Sequence, residues 1–299
     1  MKIRFFCIAL FLAGNLSIAQ EVEEFNLIRK GAKPERVGSG YKFTEGPAVD
    51  RDGNVFFTDQ PNNRILKWSP EEGVTVFMEN AGRSNGLYFD RDGNLLACAD
   101  EKNELWQIDK EKNVTVLVDD FEGKKLNGPN DLWVDAKGGI YFTDPFYKRP
   151  YWTRTEKEIE SENVYYLSPD HKTLTVVMDG FTRPNGIVGT GDGKLLYVAD
   201  IGAGKTFAFD INADGTLSGR RLFTGMGSDG MTLDNKGNLY LTGKGVTVFD
   251  PSGKQIGHIP IPEPWTANVC FGGRNNKTLF ITASTAVYTV EMKVRGAAY

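Results

Sequence analysis

Short apolar segments separated by turns follow one another along almost the whole chain. These segments are rich in valine, isoleucine, phenylalanine and tyrosine, the residues that suit the pleated, half-buried surface of a β-strand. No stretch of useful length has the 3.6-residue hydrophobic period of an amphipathic helix. The pattern therefore predicts an all-β protein.

One unit, a tight turn followed by an apolar strand, recurs six times. The turn positions that correspond to each other are Gly53, Gly93, Gly138, Gly193, Gly237 and Asn276. Their spacings of 40, 45, 55, 44 and 39 residues match the length of a four-stranded propeller blade. A two-sheet sandwich would contain many short strands too, but it would not produce a near-constant period. We therefore expect one six-bladed β-propeller domain over residues 20–299.

The two ends of the chain are predicted to share the sixth blade. The sixth repeat runs out of apolar segments near Glu291, after its third strand. The apolar segment Phe25 to Lys30 precedes the first repeat and has no partner of its own. We expect it to supply the missing outer strand, because closing the ring removes an exposed sheet edge.

The first 19 residues have the pattern of a signal peptide. Lys2 and Arg4 precede an apolar core, and small residues around Ala19 suit cleavage. No other apolar run is long enough to cross a bilayer. We expect an exported protein, periplasmic or secreted, with no membrane span after signal cleavage. In an oxidising compartment Cys98 and Cys270 could pair, or they could remain buried free thiols.

Composition narrows the chemistry. The 35 Lys and Arg against 39 Asp and Glu give a net charge of −4, so there is no basic excess to bind nucleic acid. Only two histidines are present, His171 and His258, which leaves little room for a histidine-based triad or zinc site. Any catalysis is therefore expected to use carboxylates and oxygen ligands. The sequence does not fix the oligomeric state.

One polar position is shared by all six repeats. Eight residues before each turn position stand Glu45, Asn85, Asn130, Asn185, Asp229 and Asn268. Because the innermost strand of each blade begins at the central channel, equivalent positions form a ring around its axis. The Asn-Gly and Asp-Gly pairs could instead be simple turn formers, although glutamate is a poor turn residue.

Such a ring suits a hard cation. Glu45 and Asp229, with amide oxygens from Asn185 and Asn130, make an all-oxygen set with two negative charges. These ligands favour Ca²⁺ first, with Mg²⁺ or Mn²⁺ possible and Zn²⁺ less favoured, since no His or Cys accompanies them. Water or substrate would complete the coordination.

Four segments, in this order along the chain, resemble the SMP-30/gluconolactonase/luciferin-regenerating-enzyme family. They are Glu45-Gly46-Pro47, Asn130-Asp131, Pro184-Asn185-Gly186 and Ser228-Asp229-Gly230-Met231. The resemblance extends from about Tyr41 to the end of the sixth repeat, and Thr143-Asp144-Pro145 is similar to bacterial gluconolactonases. One segment departs from the pattern: Asp100-Glu101-Lys102-Asn103 stands where such enzymes often carry a histidine, which bears on the substrate.

The resemblance implies a metal-dependent lactonase that acts on a sugar lactone. Glu45, Asn185 and Asp229 would bind a divalent metal, usually Ca²⁺, with Asn130 beside the metal or the substrate. Asp229 would be the catalytic base, and Asp131 is the alternative. Two other functions remain open: a phosphotriesterase-like hydrolase with the same site, and a non-enzymatic ligand-binding propeller with a structural metal.

A long loop is expected to form the wall of the site. The segment from Asp144 to Asn163 accounts for the 55-residue spacing and carries several aromatic residues. Aromatic faces stack well on sugar rings, so Tyr147 and Trp152 are predicted substrate contacts together with the ring residues Asn85 and Asn130 and the neighbouring Asp131. The alternative is a solvated loop held down by its own aromatic side chains.

Overall fold

The computed structural model describes residues 26–297. The predicted signal peptide lies outside the described residues. Within residues 26–297 no helix is long and apolar enough to cross a membrane. The only helical element of this part of the chain is one 3-10 turn, Gln60–Asn62.

The strands are short and follow the predicted apolar segments closely. In the first half of the chain they are β1 (Glu35–Ser39), β2 (Thr44–Val49), β3 (Val55–Asp59), β4 (Arg64–Ser69), β5 (Gly73–Glu79), β6 (Ser84–Phe89), β7 (Leu95–Ala99), β8 (Glu104–Ile108), β9 (Val114–Val118), β10 (Asp120–Phe121), β11 (Lys124–Lys125), β12 (Leu132–Val134) and β13 (Ile140–Asp144). In the second half they are β14 (Glu162–Leu167), β15 (Leu174–Phe181), β16 (Pro184–Gly189), β17 (Leu195–Asp200), β18 (Lys205–Ile211), β19 (Leu217–Thr224), β20 (Met231–Leu233), β21 (Leu239–Gly243), β22 (Gly245–Phe249), β23 (Gln255–Ile259), β24 (Thr266–Gly272), β25 (Thr278–Ala283) and β26 (Ala286–Glu291).

These strands form six four-stranded antiparallel sheets, which confirms the six-bladed propeller. Blades 1 to 5 are, in order, β2 to β5, β6 to β9, β12 to β15, β16 to β19 and β20 to β23. Blade 6 has the order β24, β25, β26, β1 from the channel outward. The strands β10 and β11 form a separate small hairpin between blades 2 and 3.

The recurrent turn joins the first and second strands of a blade and is closed by an aspartate. Asp50 accepts hydrogen bonds from the backbone nitrogens of Asp52 and Asn54 and from the Asn54 side chain. Asp90 and Asp234 make the same contacts in blades 2 and 5. Such Asx turns fix the reversal, and they place the turns at the end of the channel opposite to the start of the inner strands.

Ring closure by an N-terminal strand is confirmed, but the predicted segment was wrong. The outer strand of blade 6 is Glu35–Ser39, which pairs with β26. Of the predicted segment, Phe25 lies outside the described residues, and Ile28 makes only an isolated bridge to Met292. An outermost strand has one free edge, so a polar segment suits it better than an apolar one.

Neighbouring blades are joined by aromatic packing and by buried threonines. Phe57 of blade 1 and Phe280 of blade 6 have ring centroids 5.5 Å apart. The Thr58, Thr143 and Thr242 hydroxyls, at one position of the second strands, donate to backbone carbonyls of the following blade at 2.8–3.1 Å. Since these groups are buried, each bond satisfies a polar atom that would otherwise be costly to bury. Cys98 and Cys270 are free thiols.

Two N-terminal truncations test the closure. A chain that begins at Gly40 lacks β1 and exposes the edge of β26, so we expect aggregation or loss of a cooperative melt. A chain that begins at Glu35 keeps β1 and should still melt cooperatively. Thermal unfolding with light scattering measures both. Indistinguishable melts for the two truncations would show that β1 is not what closes the ring.

Candidate functional site

The six polar residues that share one repeat position converge on one mouth of the channel. They are Glu45, Asn85, Asn130, Asn185, Asp229 and Asn268, each within three residues of the start of an innermost strand. Five of them are at most 6% exposed, whereas Asp229 is half-buried. The turn-former interpretation is wrong for blades 2 and 4, because there the Asn-Gly pairs lie inside β6 and β16.

Local backbone irregularities turn these side chains towards the axis. The ladder between the first and second strands shifts register at this mouth in blades 1, 2, 4 and 6, and in blade 1 the shift lies between Glu45 and Ala48. Bulges of this kind re-aim side chains and are common beside active sites. The glycine that follows Glu45 is needed for close approach, since a side chain on Gly46 would collide with the Asn85 backbone.

Asp229 is the most firmly oriented member of the ring. Its Oδ1 accepts a hydrogen bond from Asn185 Nδ2 at 2.8 Å, and its Oδ2 accepts one from Trp265 Nε1 at 2.6 Å. The second hydrogen of Asn185 Nδ2 goes to the Tyr147 hydroxyl oxygen at 3.0 Å. Glu45 Oε2 accepts a hydrogen bond from the backbone nitrogen of Gly46 at 3.0 Å. The carboxylate of Asp229 is thus held in one position at the mouth.

The burial of several carboxyl groups raises their pKa values. Burial raises the pKa of Glu45 well above its usual range, and the neighbouring Asp229 carboxylate raises it further. Burial also raises the pKa of Asp229 to about 6 and that of Asp131 to about 7, although hydrogen bonds from Trp265 and Asn185 lower the former. The Arg149 guanidinium lowers the pKa of both Glu45 and Asp229. The mouth is therefore a place where negative charge lacks sufficient compensation from the protein.

The donor set fits a hard cation. Within residues 26–297 no three His, Cys, Asp or Glu side chains form a metal cluster by themselves, so a cation here would need amide oxygens as well as carboxylates. The structure provides them: Asn185 uses its nitrogen for both of its side-chain hydrogen bonds, which leaves its Oδ1 available. Oxygen donors together with uncompensated buried carboxylates are what Ca²⁺ prefers.

The long loop between β13 and β14 covers this mouth and is fastened to blade 2. Asp100, which is 2% exposed, accepts hydrogen bonds at Oδ2 from Arg149 Nε at 2.8 Å and from the Tyr151 hydroxyl. Gln60 Nε2 donates to the same oxygen at 2.9 Å, and the Asp100 carbonyl accepts from Trp152 Nε1 at 2.7 Å. The loop is therefore held down partly by its own aromatic residues, as the alternative interpretation expected, and it still walls the site.

The predicted site residues do not all face the same space. Tyr147 contacts the ring directly, whereas the indole nitrogen of Trp152 is committed to Asp100. Asp131 accepts from the backbone nitrogen of Leu132 at 3.0 Å and, with Asn268, lines a cavity of about 650 Å³ in the channel. That cavity is also lined by the turns between first and second strands, so it opens on the face opposite to the loop.

Sequence reasoning missed three side chains that shape the site: Trp265, Arg149 and Asp100. Trp265 lies just before β24, and the other two lie beyond the ends of regular repeat segments. Trp265 has no tryptophan counterpart at the same offset in the other blades, so the repeat alignment carries no signal for it. Asp100 does have one, since Asp200 stands at the same distance from its turn glycine, and the segments LLACAD and LLYVAD could have pointed to this position. The assignment of no role to the histidines stays a prediction; His171 lies in the turn after β14 and His258 in the outer strand β23.

The protein is thus a six-bladed propeller in which carboxylate and amide side chains line one mouth of the central channel, and these oxygen donors suit a cation. The chain belongs to the SMP-30/gluconolactonase/LRE-like family, whose model matches residues 43–285. A gluconolactonase from Zymomonas mobilis is 31% identical over 293 residues, covering 88% of this chain and 82% of the relative. A lactonase, drp35, from Staphylococcus saprophyticus is 36% identical over 143 residues, which is 44% of this chain and 42% of the relative. The solved structure of a gluconolactonase from Xanthomonas campestris is 30% identical, with a TM-score of 0.82 and coverage of 87% of this chain and 89% of that one.

The raised pKa values predict how the chelated protein responds to pH. A carboxyl group whose pKa is higher in the folded than in the unfolded state stabilises the fold below its unfolded pKa and loses that contribution as the pH rises through its folded pKa. For Asp229 and Asp131 the folded values are about 6 and about 7. The Tm of the chelated protein should therefore fall between about pH 4 and about pH 7.

Calcium should reverse this loss. At free Ca²⁺ about 100-fold above Kd, binding adds about 2.7 kcal/mol to the free energy of unfolding. Glu45→Gln removes one ligand charge, so it should reduce the Ca²⁺-dependent rise in Tm. Thermal melts with chelator and with a Ca²⁺ titration measure both effects. Two results together would contradict the cation site: a Tm that does not change with pH in the presence of chelator, and a Tm that does not change when Ca²⁺ is added.

Shortening the loop should change selectivity rather than cation binding. Replacing residues 148–160 with a short Gly-Ser linker keeps Tyr147 and its contact with Asn185 but removes the wall. We expect the ratio of kcat/KM values among lactones to change, because the contacts that distinguish them are lost. The Ca²⁺-dependent Tm shift, measured in parallel, should persist. A uniform fall for every lactone would mean that the loop only stabilises the fold.

Proposed function

We propose that this protein hydrolyses a sugar lactone at the mouth of the channel, with a divalent cation, Ca²⁺ first, bound by the ring. Similarity to gluconolactonases and a lactonase supports the reaction class. The observation that carries the proposal is the placement of Asp229, a half-buried carboxylate held by Asn185 and Trp265 next to Glu45 and beneath a loop.

Glu45, Asn185 and Asp229 would hold the cation, with Asn130 alongside. When bound, the cation would supply positive charge that draws electron density from the lactone carbonyl. It would also compensate the repulsion between Glu45 and Asp229, which raises the pKa of Glu45.

Asp229 is the proposed general base. Its two hydrogen bonds fix its position, and its pKa is about 6 without the cation. A bound cation would lower this pKa, so the carboxylate would be ionised at neutral pH and able to accept a proton from water. Asp131 is the weaker candidate, because it lines the channel cavity that opens on the opposite face.

Tyr147 is the proposed donor to the substrate. Its oxygen accepts from Asn185 Nδ2, so its own O–H can donate to a substrate oxygen. Burial raises the pKa of Tyr147, which keeps the hydroxyl protonated. Asn85 and Asn130 occupy the equivalent ring positions of blades 2 and 3 and would offer further polar contacts to sugar hydroxyls.

The place of action is part of the proposal. The signal-peptide pattern of the first 19 residues supports export to the periplasm or the medium. A sugar lactone outside the cytoplasm is thus the proposed substrate.

Substitution of the base tests the mechanism. Asp229→Asn keeps the size of the side chain and an oxygen ligand but cannot accept the proton, so we expect turnover of glucono-lactone to fall by roughly a hundredfold or more. The Ca²⁺-dependent Tm shift should remain detectable. Asp131→Asn is the matched control and should cost much less.

Two outcomes would count against these assignments. Near-normal turnover in Asp229→Asn together with a large loss in Asp131→Asn would exchange the roles of the two carboxylates. A wild-type protein that binds Ca²⁺ but hydrolyses no lactone would leave a ligand-binding propeller with a structural cation.

A further inference from the structure

The mouth that holds the carboxylates is bordered by four arginines, each stacked on an aromatic ring of the long loop. We call Arg83, Arg149, Arg154 and Arg183 the arginine rim. Their guanidinium carbons lie over the rings of Tyr151, Tyr147, Trp152 and Tyr147 at 4.5, 5.4, 4.5 and 4.9 Å from the ring centroids, respectively. The overall charge of the chain is negative, so this concentration of positive charge is local.

Two members of the rim are already committed to the protein. Arg83 has Glu101 3.6 Å away and donates to the Pro61 carbonyl at 2.7 Å. Arg154 donates to the Asn127 carbonyl through one terminal nitrogen and also stacks on Phe146, while its Nε and its other terminal nitrogen are buried and make no hydrogen bond to the described residues. These two arginines therefore fasten the loop.

Arg149 and Arg183 are different. Arg149 binds Asp100 through Nε, and its two terminal nitrogens make no hydrogen bond to another described residue. Arg183 is exposed and forms no ion pair within residues 26–297. Both lie over Tyr147, whose hydroxyl touches the ring through Asn185. Two guanidinium groups with free donors thus stand beside the proposed reaction centre.

Fastening of the loop accounts for one contact of this pair, the bond from Arg149 Nε to Asp100, and for none made by Arg183. Asp100 already holds the loop through Tyr151 and Trp152, and neither of those contacts uses Arg183. Two of the acidic residues at this end of the loop are engaged elsewhere, since Glu158 accepts from the Lys125 backbone nitrogen and Glu162 from Lys157. The free guanidinium donors are therefore left for a ligand.

We propose that the lactone taken by this site carries an anionic group, a carboxylate or a phosphate, that binds Arg149 and Arg183 while its carbonyl reaches the ring. This inference rests on the proposed function and names its substrate class. A planar guanidinium binds carboxylate and phosphate through two parallel hydrogen bonds. An anion could not approach the ring carboxylates directly, whereas the arginine rim gives it a favourable position a short distance away.

Matched pairs of lactones test the proposal. The first pair is D-glucaro-1,4-lactone and D-glucono-1,4-lactone, which differ only in that the former has a carboxylate where the latter has a hydroxymethyl group. The second pair is 6-phospho-D-glucono-1,5-lactone and D-glucono-1,5-lactone, which differ only in a phosphate group. We expect about a tenfold higher kcat/KM for at least one anionic member, falling as salt rises, because one charge-assisted contact is worth about a factor of ten. The pair with the larger preference identifies the anion.

Variants connect the preference to the two arginines. Arg183→Gln and Arg149→Gln should each reduce the anionic-to-neutral ratio by about tenfold. Arg220→Gln is the control, because Arg220 also stacks on aromatic rings but lies on the outer strand β19. The anionic-to-neutral ratio of this variant should equal that of the wild type. Equal use of anionic and neutral lactones, or a ratio unaffected by either arginine variant, would overturn the proposal.

Binding measurements separate this proposal from the lactonase assignment. Isothermal titration with the same lactone pairs reports the preference whether or not hydrolysis occurs. If no lactone is hydrolysed, the proposed function fails, and an arginine-dependent preference in binding still supports an anion site. If lactones are hydrolysed but the anionic member binds no better, only the anion site fails.

Discussion

The pairing of β1 with β26 is the contact on which the rest of the propeller depends. It joins parts of the chain separated by about 250 residues, and the buried Thr44 hydroxyl reinforces it by donating to the Ala286 carbonyl at 3.0 Å. Loop-closure entropy grows only with the logarithm of chain length, so closing so long a ring costs little more than closing a short one. In return, blades 1 and 6 become neighbours, so that every blade has two, and the inner strands converge on one axis.

The convergence of the inner strands places negatively charged side chains close together, and the proposed site makes use of their repulsion. Six polar side chains are brought together in a space that is largely closed to water, and Glu45 and Asp229 repel each other there. The protein supplies only partial compensation, through Arg149, Asn185 and Trp265. A site left short of positive charge stabilises the fold less than an apolar one would, but it is ready to bind a cation and to develop basicity at a carboxylate. At the mouth, the arrangement proposed for function therefore lowers the stability of the fold.

The repeat explains what could be predicted from sequence. The ring residues were found because each blade repeats the same geometry, so a fixed offset from the turn is a fixed place in space. The threonines that join the blades obey the same rule and could have been found in the segments VFFTD, IYFTD and LYLTG. The closing strand was misplaced because Phe25 to Lys30 is the more apolar segment, whereas tertiary pairing selected the polar Glu35–Ser39. Trp265 and Asp100 act through contacts between loops of different blades, which no period in the sequence encodes.

Asp100 shows how the loops add specificity to a repeated scaffold. This buried carboxylate stands in the segment that departs from the family pattern, and one of its oxygens accepts from Gln60, Arg149 and Tyr151 together. The position of the loop and the orientation of Arg149 therefore depend on the same atom. A change at Asp100 would move both at once, while the ring, built from the inner strands, would keep its geometry. Selectivity can consequently change through this segment while the ring carboxylates keep their positions, and they feel the change through the Arg149 guanidinium, which lowers the pKa of both Glu45 and Asp229.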